Sequence, residues 1–148
     1  MLKVESILPA AQARLATIRT DALLVEAAKL LSDAQHNLVV VCDEAGKMAG
    51  VITRTDVVGR ISHCTGSSCT APAAKVMTQD VITCRPDDWL NDVWSSIKEN
   101  GLKNMPVLDQ DSRPVGVLNS RDVLAALLQH VQYQEDLLRD YVMNVGYR

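Results

Sequence analysis

Aromatic side chains are scarce in this chain of 148 residues, at 3% of the composition, and phenylalanine does not occur at all. Single-stranded nucleic acid would therefore find few rings on which to stack its bases. A block of lysine and arginine is also missing, and the net charge is −3. Because a basic surface supplies most of the affinity for nucleic acid and for anionic membranes, the composition argues against both classes of partner.

Long apolar runs are absent as well, which argues against a membrane-spanning helix of roughly 20 consecutive apolar residues. The N-terminal stretch MLKVESILPAAQARLATIR is interrupted by charged residues and lacks the apolar centre of a signal peptide. We therefore predict a cytoplasmic location. In that reducing compartment we expect free thiols at Cys42, Cys64, Cys69 and Cys84.

What the chain does contain is a repeat. The segment GVITRTD at 50–56 returns without a gap as GVLNSRD at 116–122. We call these segments motif one and motif two, the repeats that carry them copy one and copy two, and the spacing from Gly50 to Gly116 the repeat offset. At the repeat offset Thr17, Arg19, Asp21, Leu24, Val41, Asp43 and Val57 recur as Thr83, Arg85, Asp87, Leu90, Val107, Asp109 and Val123. With 47% apolar residues, this duplicated unit can bury an aliphatic core.

Both copies carry the same order of secondary-structure signals. Apolar residues spaced by three and four predict an amphipathic helix from Leu24 in copy one and from Leu90 in copy two, capped by Asp21 and Asp87. β-Branched and apolar runs separated by a polar turn predict two strands, and helical spacing returns after each motif. The predicted fold class is therefore α/β (α+β), built as two β-α-β-β-α repeats.

These patterns also divide the chain. We predict copy one at 1–61, a connection without periodicity at 62–76, copy two at 77–128 and a C-terminal helical extension at 129–148. The extension keeps a helical stripe of apolar residues as far as Gly146, which can end it. Such a stripe needs a surface to cover, either the core of the chain itself or a partner.

Motif one offers three groups that suit a nucleotide. Gly50, in the last strand, lacks a Cβ and lets a ligand or a neighbouring backbone approach. Thr53 presents a hydroxyl at a helix N-terminus, where unpaired N–H groups favour a phosphate. Asp56 lies one turn further on, and its carboxylate can accept hydrogen bonds from both hydroxyls of a ribose. The Thr-x-x-Asp spacing is also that of a capping box, and both interpretations remain open at this point.

The complete pattern resembles a pair of CBS domains, named for cystathionine β-synthase and together called a Bateman module. The resemblance rests on KVMTQDVITCRPDD at 75–88, NMPVLD at 104–109 and motif one, and it covers nearly the whole chain. It implies a stand-alone regulatory protein with two clefts between paired sheets, which bind AMP, ADP, ATP, NAD or S-adenosylmethionine. It also implies a homodimer whose change of shape is sensed by an unidentified effector protein.

The resemblance assigns roles in each cleft, residue by residue. In copy one, Thr17 lies by the adenine, Leu38, Val39 and Val40 wall the ring, Thr53 and Arg54 meet the phosphate, and Asp56 binds the ribose. In copy two the matching residues are Thr83, Asn104, Met105, Pro106 and Asp122. Asn119 stands where serine or threonine is expected and lacks the hydroxyl, whereas Arg121 can hold phosphate oxygens through two hydrogen bonds.

Other function classes are open. A ligand-independent dimerising adaptor would use the C-terminal stripe and would be indifferent to the aspartates of the two motifs. A metal or redox sensor would use His63, Cys64 and Cys69, although their spacing fits neither paired CxxC ligands nor a zinc finger. Oxidation of Cys84 is a further route to regulated binding. We expect no resident metal and no enzyme, since no catalytic triad or pair of carboxylates recurs.

Overall fold

The computed structural model describes residues 1–62 and 70–146, with side chains through residue 142. It opens with a 3-10 turn, Val4–Ile7, and helix α1, Leu8–Ala13. Copy one follows as β1 (Thr17–Arg19), α2 (Leu24–Leu31), β2 (Leu38–Cys42), β3 (Met48–Thr53) and α3 (Arg54–Ser62). A short helix α4 (Ala73–Val76) precedes copy two, which comprises α5 (Leu90–Asn100), β4 (Asn104–Leu108), β5 (Pro114–Asn119) and α6 (Ser120–Gly146).

The two copies pair their strands in the same register, and the predicted α/β repeat is confirmed. In copy one, β1 runs parallel to β2, and β2 runs antiparallel to β3 with Val41 opposite Gly50. Copy two pairs β4 with β5 at the positions that the repeat offset gives, including the same irregularity near the end of the first strand. Its counterpart of β1 is reduced to a single parallel bridge between Cys84 and Val107.

Two recurring aspartates build the turns of these hairpins. Oδ1 of Asp43 accepts hydrogen bonds from the backbone N–H groups two and four residues later, at 2.9 and 3.0 Å. Oδ1 of Asp109 accepts the equivalent pair at 2.8 and 3.0 Å. The residue three positions after each aspartate has a positive φ, +82° at Gly46 and 63° at Ser112. The aspartates recur because they satisfy the backbone of a tight turn.

Helices α2 and α5 begin at Leu24 and Leu90, as the spacing of apolar residues predicts, but they lack the predicted caps. Leu23 and Trp89 occupy the N-cap positions of α2 and α5, and neither position has a side-chain cap. The prediction that Asp21 and Asp87 cap these helices is therefore wrong.

Backbone exchange between the copies explains the missing caps. The N–H of Leu24 donates to the carbonyl of Ala71, just before α4, and the N–H of Leu90 donates to the carbonyl of Leu2, near the start of the chain. Both bonds are 2.8 Å long. Since each helix end receives its partner from the other half of the chain, an aspartate side chain is not needed there.

The same exchange fills the two cores. Val4 and Ala11, which precede β1, lie in the core of copy two with 0% and 2% of their surface exposed. Ala73, which precedes copy two, is fully buried in the core of copy one. Helix α1 packs on β5, and α4 packs on β3. The predicted boundaries follow the order of the chain, whereas the folded cores interlock across them.

A third cluster joins the two sheets. Leu38, Val40 and Val51 of copy one pack against Val117 of copy two, and all four are buried. Removing these aliphatic side chains from water holds the copies face to face. Leu38 and Val51 also line a cleft, together with the first residues of α3 and α6.

Helix α6 continues beyond copy two to Gly146, as the sequence predicts. Its apolar residues Leu128, Leu138, Tyr141 and Val142 are 59% to 66% exposed, so this stripe does not cover the described core. Across residues 1–62 and 70–146, α6 included, no helix combines the length and the apolar character needed to cross a membrane.

Candidate functional site

A cleft of about 1100 Å³ opens where α3 and α6 begin. Both motifs contribute to its wall: Thr53, Arg54 and Asp56 come from motif one, and Asn119 and Arg121 come from motif two. The resemblance predicts two clefts, one for each motif, and residues of both motifs line this same cleft. We call the side next to motif one half one, and the side next to motif two half two.

The glycine of each motif makes room for protein. A Cβ on Gly50 would lie 2.7 Å from the carbonyl oxygen of Thr78, and a Cβ on Gly116 would lie 2.8 Å from the Cβ of Ala11. Neither space admits a further carbon atom at normal packing distances. Of the two roles that the sequence leaves open for Gly50, the structure shows the close approach of a neighbouring backbone.

Thr53 and Asp56 form a capping box at the start of α3. Oδ2 of Asp56 accepts hydrogen bonds from the backbone N–H of Thr53 at 2.9 Å and from its hydroxyl at 3.2 Å. In return, the N–H of Asp56 donates to the Thr53 hydroxyl oxygen at 3.4 Å. Both residues are half-buried and line the cleft. Capping and ligand binding are compatible here, because a carboxylate can accept about four hydrogen bonds.

The guanidinium of Arg54, an exposed residue, is bound to other parts of the chain. It donates to the carbonyl oxygens of Leu31, Asp33 and His36 at distances between 2.9 and 3.2 Å. A fourth bond, of 2.7 Å, reaches Oδ1 of Asn37. These acceptors lie at the end of α2 and in the loop that follows, where a helix leaves carbonyl groups without partners. Arg54 therefore fastens the loop between α2 and β2 and would have to release it to meet a phosphate.

Half two is built differently. Oδ1 of Asn119 accepts a hydrogen bond of 2.9 Å from the backbone N–H of Arg121, at the start of α6. The carboxylate of Asp122 is held by Arg14, with 2.7 Å between Nε and Oδ2 and 3.4 Å between Nη2 and Oδ1. Because Arg14 follows α1, this ion pair connects the segment before β1 to motif two.

Half of the predicted ligand contacts lie at the cleft. The lining residues among them are Leu38, Thr53, Arg54, Asp56, Asn104, Asn119 and Arg121. The structure does not bring these others to the lining: Thr17, Val39, Val40, Thr83, Met105, Pro106 and Asp122. Val39 and Val40 are fully buried in the core, so Leu38 is the member of the predicted adenine wall of copy one that faces the cleft.

The cleft also contains charged residues that the motifs do not predict. Arg14, Asp80 and Lys103 all line it. Arg14 and Asp80 hold equivalent positions, three residues before Thr17 and Thr83. The repeat offset aligns Arg14 with Asp80. Because the two residues have opposite charges, a search for residues that recur in both copies does not detect this position.

The cysteines do not form a described site. Cys84 is buried in the core of copy two, and burial, followed by the charge of Asp88, raises the pKa of its thiol to about 12. Such a thiol stays protonated at neutral pH, which argues against oxidation of Cys84 as a switch. His63, Cys64 and Cys69, the proposed metal or redox ligands, lie outside the described residues. Among the residues that are described, no three His, Cys, Asp or Glu side chains are grouped to hold a metal.

A smaller cavity of about 670 Å³ lies away from both motifs. Its charged lining residues are Glu5, Arg85, Asp87, Asp109 and Asp111. Arg85 donates to the carbonyl oxygen of Asp109, and the carboxylate of Asp109 is used in the hairpin turn. An excess of carboxylates would repel a phosphate. The larger cleft is therefore the candidate site.

A family model for the CBS domain matches the chain twice, at residues 4–63 and 73–129. The chain belongs to the CBS domain family. Each match begins with a segment that packs into the other copy, Val4 in the first and Ala73 in the second. The exchanged segments are therefore part of the CBS repeat as the family defines it.

Curated relatives are similar to this CBS pair over part of their length. An uncharacterized 17.7 kDa protein of Acidianus ambivalens is 27% identical over 111 residues, which are 75% of this chain and 66% of that protein. Two relatives from Methanocaldococcus jannaschii match over 20% and 49% of their own length. The chain thus spans less than two thirds of the length of the curated relatives that it matches.

Solved structures share the fold of the CBS pair. CBSX2 in complex with AMP has a TM-score of 0.74 at 20% identity, and the match covers 87% of this chain and 98% of that one. The CBS domain pair of protein MJ0100, in complex with 5'-methylthioadenosine and S-adenosyl-L-methionine, has a TM-score of 0.71 at 25% identity, with 88% and 98% covered. The likeness establishes a Bateman-type arrangement of the two repeats.

Proposed function

We propose that this CBS pair is a regulatory module that binds an adenosine-containing ligand in the cleft between its copies. The candidates are AMP, ADP, ATP, NAD and S-adenosylmethionine. The proposal rests on one observation: both motifs, with their hydroxyl, carboxylate and guanidinium groups, converge on a single cleft of about 1100 Å³. Relatives of the same fold hold AMP, or 5'-methylthioadenosine and S-adenosylmethionine.

The lining of the cleft suits such a ligand. Leu38, Val51, Val81 and Leu102 provide apolar surface for a purine ring. Polar groups lie at the two helix starts, where backbone N–H groups favour an anion. An apolar wall with a few oriented polar groups is typical of small-molecule sites. A ring can therefore be held by aliphatic contact in a chain that has few aromatic residues.

The remaining parts of the proposal concern what the module does with its ligand. We infer a regulatory role without catalysis, in the cytoplasm, with neither nucleic acid nor membrane as a partner. Binding would change the angle between the copies, and an effector protein would sense that change because it binds the two arrangements with different affinity.

Isothermal titration of the purified protein with the five candidate ligands tests the proposal. At least one ligand is expected to bind with a micromolar dissociation constant. Asp56→Ala, or Asp122→Ala, is expected to weaken binding by about tenfold or more, because a hydrogen bond to a charged group contributes about 1.5 to 3 kcal/mol. Asp92→Ala, at an exposed position in α5, is the matched control and should bind as wild type does.

The same titration separates the sensor from the adaptor. Unfolding curves must first show that each variant is folded, since removal of the Asp56 cap costs about 1 kcal/mol by itself. If folded wild type binds none of the ligands, the nucleotide proposal fails and the adaptor gains support.

We also propose that the module is a homodimer and that α6 contributes to the interface. Leu124, Val131 and Leu138 recur at a heptad spacing and are 39%, 49% and 63% exposed, a pattern typical of a coiled coil. Leu138→Glu is expected to shift the mass in sedimentation equilibrium from dimer to monomer. Glu135→Gln on the same helix should leave the dimer intact, and a wild-type chain that sediments as a monomer would contradict the proposal.

A further inference from the structure

The two halves of the cleft differ in charge at equivalent positions. The cations on the wall of half two are Arg14, Lys103 and Arg121. Their equivalents at the repeat offset, all on the same wall, are Asp80, Asn37 and Thr55. At these three positions half two has three positive charges, whereas half one has one negative charge and two neutral side chains. Arg54, a cation of half one, is bound to the end of α2 and the loop that follows.

A side-chain contact of Arg14 and a backbone pairing close to Asp80 assign these two residues to different halves. Arg14 contacts the carboxylate of Asp122 in motif two, and it follows α1, which packs on β5. Asp80 follows Thr78, whose backbone pairs with Val51 of β3 through bonds of 2.8 and 3.0 Å. At this equivalent position, therefore, half two has an arginine beside motif two, and half one has an aspartate beside motif one.

We propose that Arg14 makes half two selective for adenosine ligands that carry a phosphate, an inference that rests on the proposed function above. In the free protein Arg14 neutralises Asp122. Asp122 is not among the residues that line the cleft, and its carboxylate is held by Arg14, which does line it. A ligand whose ribose takes Asp122 must therefore first displace the guanidinium. A phosphate on the same ligand offers that guanidinium a new anionic partner. Arg14 then pairs with the phosphate, and Asp122 pairs with the ribose hydroxyls.

A ligand without phosphate lacks this compensation. The side chains of Arg14 and Asp122 are 28% and 29% exposed, so water replaces a lost partner only in part. Adenosine would leave Arg14 without an anion beside Lys103 and Arg121, which share its charge. A nucleotide instead places its phosphate among three cations, and a guanidinium can bind two of the phosphate oxygens at once.

The test compares AMP with adenosine. Both are titrated into wild type, Arg14→Gln and Arg19→Gln, the last being a control at an exposed arginine of β1 outside the cleft. Each titration is repeated in an Asp56→Ala background, which removes the carboxylate of half one. The quantity measured is the ratio of the dissociation constant of adenosine to that of AMP.

Arg14→Gln is expected to lower this ratio about tenfold, equivalent to about 1.4 kcal/mol. AMP binding weakens, and adenosine binding stays equal or improves because Asp122 is released. Arg19→Gln should keep the wild-type ratio. If Arg14→Gln does not fold, Arg14→Lys replaces it, and a ratio below that of wild type is expected because lysine keeps the charge without the paired hydrogen bonds.

Two negative outcomes are distinct. A wild-type ratio in the folded Arg14 variant, with AMP still bound, overturns the role of Arg14 and leaves the proposed function standing. Wild type that binds neither AMP nor any other adenosine ligand overturns the proposed function and this inference together.

Discussion

Gly50→Val is expected to lower the free energy of unfolding by about 3 kcal/mol, the upper end of the range for an overpacked site. The new Cβ would lie 2.7 Å from the carbonyl oxygen of Thr78. That oxygen cannot move freely, because it accepts a 3.0 Å hydrogen bond from the N–H of Val51, and the N–H of Thr78 donates back at 2.8 Å. To relieve the contact, the protein must break this pairing or displace β3. Urea unfolding followed by circular dichroism measures the loss.

Gly59→Ala is the matched control. Gly59 lies within α3, and a Cβ there meets no atom within 4 Å. Alanine should stabilise the helix by about 0.5 to 1 kcal/mol, because glycine is a poor residue for a helix interior. The two glycines lie close together in the sequence, yet their substitutions are expected to act in opposite directions. Equal stability of Gly50→Val and wild type would show that residues 77–79 do not pack on β3 in solution.

Much of the fold follows from local patterns. The repeat offset predicts that two hairpins share a register, and the pairing of Val41 with Gly50 and of Val107 with Gly116 bears this out. Helical spacing predicts the buried faces of α2 and α5, and it predicts that α6 continues beyond copy two. These features depend on residues that are close in sequence or related by duplication.

Contacts between segments that are distant in the chain produce no repeat or periodic pattern in the sequence. Arg14 and Asp122 are 108 positions apart, and neither residue indicates the other. The partners of Arg54 are mostly backbone carbonyl groups, which every residue has, so its structural role could not be predicted from side-chain types. The hydrogen bonds at the starts of α2 and α5 could not be predicted for the same reason, since Ala71 and Leu2 accept them through backbone carbonyl oxygens.

The exchange also means that copy two depends on the start of the chain. Deletion of residues 2–13 is expected to destabilise copy two by about 5 kcal/mol or more, because each buried large aliphatic side chain contributes about 1.5 to 3 kcal/mol. Val4 is fully buried there, and Leu2, Ile7 and Leu8 pack against the same core. A loss of that size approaches the whole stability of a small domain, which is about 5 to 15 kcal/mol. We therefore expect little cooperative unfolding of copy two in the deletion variant.

Tryptophan fluorescence can isolate this effect, because Trp89 and Trp94, the two tryptophans of the chain, both lie in copy two. Lys3 lies over Trp89 at 5.3 Å from the ring centroid, so the deletion also removes a direct neighbour of this probe. A comparison of Val4→Ala with Val25→Ala tests the same contact with single substitutions, since Val4 is fully buried and Val25 is 36% exposed. The first should cost about 1 to 3 kcal/mol and the second close to none. If the deletion variant unfolded at the same urea concentration as wild type, the N-terminal segment would not belong to the core of copy two.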